Sequence, residues 1–163
     1  MAQRVAVDVL LEAARRGFDR VEPADLASEM AEGALVVDVR STEQRHRDGE
    51  LPGAVVIDRN VLEWRLDPTS PNHVPEATEA GLRIIVVCNE GYSSSLAAAT
   101  LRQLGLERAS HLVGGFQAWK RLADQIRPAP PIEPPHREPC RPAPGGTACP
   151  PILPNRYAPL PHP

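Results

Sequence analysis

Four short aliphatic runs set what this chain can fold into. They are Ala34-Leu35-Val36-Val37-Asp38-Val39, Ala54-Val55-Val56-Ile57, Arg83 to Val87, and the weaker His111-Leu112-Val113. Each is short and apolar, so each reads as a strand covered on both faces. Helical signals fill the intervals. Pro23 to Ala31 opens with a proline suited to a first turn and ends at Gly33. Asn60 to Leu66 is a short helix with Asn60 as its cap. Ser93 to Leu104 is rich in Ala and Leu and stops at Gly105. Gly115 to Ile126 closes the pattern. Ahead of the first strand, Val5 to Leu11 with Asp8, then Glu12, Arg15 and Arg16, reads as an amphipathic helix. Strands and helices alternating in this way predict an α/β fold in three layers, a parallel sheet with helices on both faces. There is no internal repeat.

The prolines divide the chain. Of 19, 14 fall at or after Pro128. Proline lacks the amide donor and fixes φ, so such a segment forms neither helix interiors nor central strands. With few apolar side chains to bury, it does not recover the entropy of ordering. Two parts are therefore expected: a folded domain over 1–126 and a disordered proline-rich tail over 127–163. Pro128-Ala129-Pro130-Pro131 has the character of a ligand for an aromatic groove, although an unbound, solvated tail is the simpler reading.

Charge and composition narrow the function. The net charge is −3, and the tail carries four arginines and two glutamates, which leaves the first 126 residues at about −5. A mildly acidic domain lacks the basic face of a nucleic-acid partner. No apolar run approaches the roughly 20 residues of a membrane-spanning helix, and no signal-peptide pattern opens the chain. The expectation is a cytoplasmic protein with neither a nucleic-acid nor a membrane partner. Of three cysteines, Cys88 stands in the most apolar segment, while Cys140 and Cys149 lie in the tail without zinc-site spacing and read as incidental thiols.

The chemistry concentrates in Ile84-Ile85-Val86-Val87-Cys88-Asn89-Glu90-Gly91-Tyr92-Ser93-Ser94-Ser95-Leu96. A buried strand ends at a cysteine, a loop containing Gly91 follows, and a serine-capped helix begins. Ligands of open α/β sheets bind beyond the carboxyl ends of the strands. The amide groups of the loop, joined by the unpaired N–H groups of the helix start, form a cradle for an anion. A thiolate is an anion, so the same donors favour the nucleophilic form of Cys88. A lone cysteine is usually an inert buried thiol; this succession of strand, cysteine, glycine loop and helix favours function.

Four separate segments then resemble one family. Leu35-Val36-Val37-Asp38-Val39-Arg40 is similar to a strand ending in Asp-Val-Arg. Gly49-Glu50-Leu51-Pro52-Gly53-Ala54 is similar to a Gly-His-Ile-Pro-Gly-Ala turn, Cys88 to Ser94 to an active-site loop, and Val113-Gly114-Gly115-Phe116-Gln117-Ala118-Trp119 to a Gly-Gly-aromatic-x-Ala-Trp element. In this order and spacing they resemble the rhodanese family over nearly all of residues 18–123. The resemblance implies a rhodanese-like fold and a sulfurtransferase. Cys88 would take a sulfane sulfur from a small donor or a persulfide-carrying protein, hold it as a persulfide, and pass it to a thiol or another nucleophile. Asn89, Glu90, Gly91, Tyr92, Ser93 and Ser94 would form the substrate cradle. No metal or organic cofactor is implied.

Three positions depart from the family pattern. Ser93 stands where many members carry arginine, Glu90 puts a carboxylate in the loop, and Glu50 stands where histidine is common. Glu90 opposes an anionic donor, so a persulfide is expected to serve better than thiosulfate. Asp38 and Arg40 are candidate supporting residues, with Asp38 tying loops together and Arg40 pairing with a nearby acid. Arg59, or Arg65, is a candidate for the missing loop cation, against a plain amphipathic helix with Leu62 and Trp64 packed inward. His46, His73 and His111 read as surface or turn residues, and Gly114-Gly115 as a turn.

Two other functions compete. A cysteine-dependent phosphatase or arsenate reductase needs a loop arginine to clamp a tetrahedral dianion, and none occurs between Cys88 and Ser95. A non-catalytic or redox-regulatory interaction module, with Cys88 as a sensor, remains the alternative to the enzyme.

Overall fold

A computed structural model of the protein describes residues 6–126. The expected tail, with Cys140 and Cys149, lies outside the described residues, as does Val5. Four parallel strands form one sheet in the order β2-β1-β3-β4. They are β1 (Leu35–Asp38), β2 (Val55–Val56), β3 (Ile84–Val87) and β4 (Ala109–His111). The helices are α1 (Val7–Arg15), α2 (Leu26–Ala31), α3 (Thr42–Asp48), α4 (Leu62–Leu66), α5 (Ser93–Gln103) and α6 (Gly115–Ile126), with a 3-10 turn over Arg59–Val61.

The continuous apolar strands are buried on both faces, as their composition requires. Ile84 and Val86 face one way, with Val37, Leu62, Leu66, Ala97 and Leu101. Ile85 and Val87 face the other way, with Val36, Leu26, Leu112 and Phe116. Helices α4 and α5 thus cover one face of the sheet, and α2 and α6 cover the other. Helix α1 lies outside this sandwich, along α5. The α/β fold in three layers is as expected.

Three local expectations need correction, and one helix had no expectation at all. The fourth strand begins two residues early, at Ala109, and Leu112 instead forms an isolated parallel bridge with Val21. Ser110 and His111 are polar, yet both are buried in it. Helix α3 had no sequence expectation. Ser41 and Gln44 close a reciprocal capping box at its start, and it buries none of its residues, so no apolar periodicity marks it. Asn60 is not the cap of α4: Asp58 caps the preceding 3-10 turn, its carboxylate accepting from the Asn60 amide at 2.8 Å, and α4 itself follows Val61 without a side-chain cap. Within α4, Leu62 and Leu66 point inward while Trp64 is 61% exposed.

Candidate active site

Cys88 directly follows β3, in the middle of the sheet, and its side chain closes one end of the apolar core at 7% exposure. Three groups reach its sulfur. The Gly91 amide donates to Sγ at 3.1 Å, the Ser94 amide at 3.4 Å, and the Ser94 hydroxyl oxygen lies 3.2 Å away. Helix α5 explains this convergence. Its N-cap is Tyr92, which makes no side-chain capping bond. The serine cap expected from the sequence is not there. Instead the sulfur of Cys88 occupies the place where a capping oxygen would accept from the second helical amide. A negative sulfur here meets the unpaired amides and the positive end of an eleven-residue helix.

Glycines set the shape of the cradle. Gly91 has φ +82°, the left-handed region, which turns its amide onto the sulfur. Gly115 does more than form a turn. A Cβ there would sit 2.5 Å from the Cys88 carbonyl oxygen and 2.7 Å from the Gly91 nitrogen. Its bare backbone lets α6 seat directly against the loop. The Phe116 amide then donates to the Cys88 carbonyl at 2.8 Å, and the Gln117 amide to the Asn89 carbonyl at 3.0 Å. The Gln117 side chain adds bonds to the Asn89 and Asp48 side chains at 3.0 and 2.9 Å. Phe116 and Gln117 therefore hold the loop, a role the sequence signalled only through the shape of the glycine-aromatic element.

The loop side chains face a different way. Gly91 and Ser94 are buried, Asn89 is half-buried, and Glu90, Tyr92 and Ser93 are exposed. Beside them opens a cleft of about 560 Å³ lined by Arg47, Asn89, Glu90, Tyr92, Gly114, Gln117 and Arg121. Glu90 thus shares its surroundings with two arginines from α3 and α6. Arg47 pairs with Asp48 at 2.8 Å.

The candidate supporting residues separate. Asp38 and Arg40 are buried and bond each other: Nε reaches both carboxylate oxygens at 3.1 Å and Nη2 reaches Oδ2 at 2.7 Å. Arg40 Nη2 also donates to the Gly49 carbonyl at 2.9 Å, and the guanidinium lies 3.5 Å over the Phe116 ring. Among the described residues, Arg40 Nη1 has no partner. This pair ties the end of β1 to the Gly49 turn and to α6, a structural role. Arg59 pairs with Glu63 at 2.8 Å, and its cavity, with Arg40 and Arg45, contains no residue of the cysteine loop. Arg65 donates to the Asn72 carbonyl at 2.9 Å. Neither arginine lines the cleft beside the cysteine loop. Glu50 makes an ion pair with Arg45 at 3.4 Å.

His111 overturns the expectation of a surface residue. It is 1% exposed, Ser95 Oγ lies 3.3 and 3.4 Å from its two ring nitrogens, and Phe18 packs edge-on against it. Burial, aided by the charges of Arg15 and Arg20, pushes its pKa down to about 4, so the ring is neutral near pH 7. His46 and His73 are exposed as expected. Among the described residues, no cluster of His, Cys, Asp or Glu side chains could hold a metal ion, and no helix is long and apolar enough to cross a membrane.

Known proteins resemble this chain in sequence and fold. The family model for the rhodanese-like domain matches residues 22–122. The chain is 31% identical over 103 residues to the thiosulfate sulfurtransferase GlpE of Pseudomonas entomophila, which spans 63% of this chain and 85% of that protein. The GlpE of Pseudomonas aeruginosa is also 31% identical, over 105 residues, 64% of this chain and 86% of its own. Among solved structures, a protein of unknown function from Rhodopseudomonas palustris, described as a possible tyrosine phosphatase, is 30% identical with a TM-score of 0.66. It covers 76% of this chain and 96% of its own. The human single-domain sulfurtransferase TSTD1 is 28% identical with a TM-score of 0.55, over 64% of this chain and 97% of its own. The strand leading into Cys88, its amide cradle and the seating glycines all lie within the matched residues, and the chain belongs to the rhodanese-like family.

Proposed function

We propose that this protein is a sulfurtransferase that carries sulfane sulfur on Cys88. The observation that carries this reading is the convergence of the Gly91 and Ser94 amides and the Ser94 hydroxyl on one sulfur atom at the end of a central strand. The GlpE relatives, named as thiosulfate sulfurtransferases, support it. In the first half-reaction the Cys88 thiolate attacks the outer sulfur of the donor. A new S–S bond forms, and the donor's own bond to that sulfur breaks, its electrons leaving with sulfite or a thiolate. The amide donors then serve the outer sulfur of the persulfide as they served the thiolate. In the second half-reaction an acceptor thiolate, or another nucleophile, attacks the outer sulfur, and Cys88 departs as thiolate. No proton transfer by a side chain is required, because nucleophile and leaving group are both anions.

The entrance charge bears on the donor. Glu90 is exposed, which screens it, and Arg47 and Arg121 line the same cleft. Arg47 is already paired with Asp48, so Arg121 is the arginine of the cleft set against Glu90, and the opposition to thiosulfate is weaker than Glu90 alone would give. Donors that present a sulfane sulfur at the end of an anionic or thiol-derived group therefore fit, with a protein or low-molecular-weight thiol as the acceptor.

Incubation of the purified protein with thiosulfate or a persulfide, followed by intact mass measurement, tests the proposal. One added sulfur atom, released by cyanide or a thiol and absent from Cys88→Ser, is the expected result. A wild type that gains no sulfur from any donor would falsify it. Phosphate-ester hydrolysis is expected to be undetectable, because no arginine stands in the loop to clamp a phosphoryl group.

A further inference from the structure

Arg15 lies outside the matched family region, which begins at residue 22, yet its side chain ends on the cysteine loop. It sits in the last turn of α1, the helix laid along α5. Its Nη2 donates to the Gly91 carbonyl at 3.0 Å, its Nε donates to Ser95 Oγ at 3.0 Å, and its guanidinium lies 5.8 Å from the centre of the Tyr92 ring. Ser95 Oγ in turn donates to the same Gly91 carbonyl at 2.7 Å, and His111 packs behind it. A charged and a neutral donor thus hold one glycine carbonyl, while the amide of that glycine points at Cys88 Sγ.

Glycine is the residue least able to hold a conformation unaided. Gly91 is fixed on its amide side only by the sulfur, a weak acceptor whose charge changes as the reaction proceeds. Its carbonyl side is where a permanent restraint can act, and that is where Arg15 and Ser95 act. We propose that Arg15 is a positioning residue for sulfur transfer: it fixes the Gly91 carbonyl and thereby keeps the Gly91 amide aimed at the sulfur of Cys88. Helix α1, which precedes the matched residues, is then a strut for the cysteine loop. The catalytic consequence rests on Cys88 being the sulfur carrier; the structural consequence does not.

The experiment uses the full-length protein with Arg15→Ala, Arg15→Lys and, as a control on the same helix, Arg16→Ala. Among the described residues, Arg16 pairs with exposed Glu12. Amide hydrogen exchange is followed at Gly91 and Ser94 and, for comparison, at Val86 in the core strand. Arg15→Ala is expected to speed exchange at Gly91 and Ser94 by about tenfold, with Val86 within about twofold of wild type, because one charge-assisted restraint is lost locally. Arg15→Lys keeps one donor and should fall between, and Arg16→Ala should match wild type. For sulfur transfer, kcat/KM should drop about tenfold in Arg15→Ala and recover in part in Arg15→Lys. Unchanged exchange at Gly91 would overturn the proposal. So would equal acceleration at Gly91 and Val86 in both Arg15 variants, the mark of a merely stabilising contact, or faster loop exchange with unaltered kcat/KM. A wild type that transfers no sulfur would sink the functional reading alone, and the exchange ratio would still decide whether the strut exists.

Discussion

Two neighbouring strand ends of the same sheet use polar groups in opposite ways. At the end of β1, Asp38 and Arg40 are buried and pair with each other, with Arg40 reaching on to the Gly49 carbonyl and the Phe116 ring. At the end of β3, in register beside it, the loop aims amides at a single sulfur that lacks a charged partner of its own. The first end turns its charge inward and becomes rigid. The second keeps its donors for the one atom proposed to carry sulfur. Proximity to the site is thus a poor guide to role: Arg40 is a strand away from Cys88, and its guanidinium is committed elsewhere.

Substitutions at the two ends should therefore separate stability from chemistry. The largest expected effect is at β1. Removing one partner of a buried ion pair strands the other, so Arg40→Ala should lower unfolding stability by about 3–5 kcal/mol. The same variant, assayed while folded, should transfer sulfur within about threefold of wild type. Denaturant titration combined with kcat/KM checks both, and a loss of turnover without a loss of stability would break the contrast.

His111 comes next, because it lies behind the loop rather than in it. Its pKa is about 4 in the folded protein against 6.5 when unfolded, so the unfolded state binds the proton first. Stability should fall as pH drops from about 6.5 toward 4, by about 2–3 kcal/mol in all. His111→Gln should flatten that part of the profile, which unfolding midpoints at stepped pH would reveal. An identical slope in the variant would assign the acid sensitivity to other groups.

Smaller effects are expected within the loop. Ser94→Ala removes the hydroxyl 3.2 Å from Sγ but keeps the amide, so kcat/KM should fall about fivefold with little change in stability. Glu90→Gln should raise the thiosulfate rate by less than about threefold at low salt and leave it unchanged at high salt. A rise of tenfold or more would restore Glu90 as the dominant charge at the entrance.

The parts legible in the sequence were those written in local pattern. Continuous aliphatic runs gave β1 and β3, and the order of strand, Cys88, Gly91 and helix placed the sulfur in its cradle. Other parts depend on contacts between distant residues. His111 is polar, and only the fold shows that Ser95, sixteen positions earlier, supplies its buried partner. Arg15 meets Gly91 across seventy-six positions. Helix α3 was missed because it buries nothing, although Ser41 and Gln44 carried a readable capping signal. Trp64 was misplaced because Leu62 and Leu66 already fill the inward side of a helix only five residues long.

The backbone construction of the cradle has a consequence for divergence. The donors at the sulfur are mostly peptide groups, and substitution at most positions leaves a peptide group in place. Glu90, Tyr92 and Ser93 are exposed, so their identities can drift without disturbing the chemistry. Gly91 and Gly115 cannot drift, since a methyl group at Gly115 would collide with the Cys88 carbonyl and one at Gly91 would meet the Gly114 nitrogen at 2.9 Å. Under the proposed function, selection for a new sulfur donor or acceptor can therefore act on three neighbouring codons while the cradle is inherited intact. That makes the loop a place where partner choice can evolve faster than catalysis.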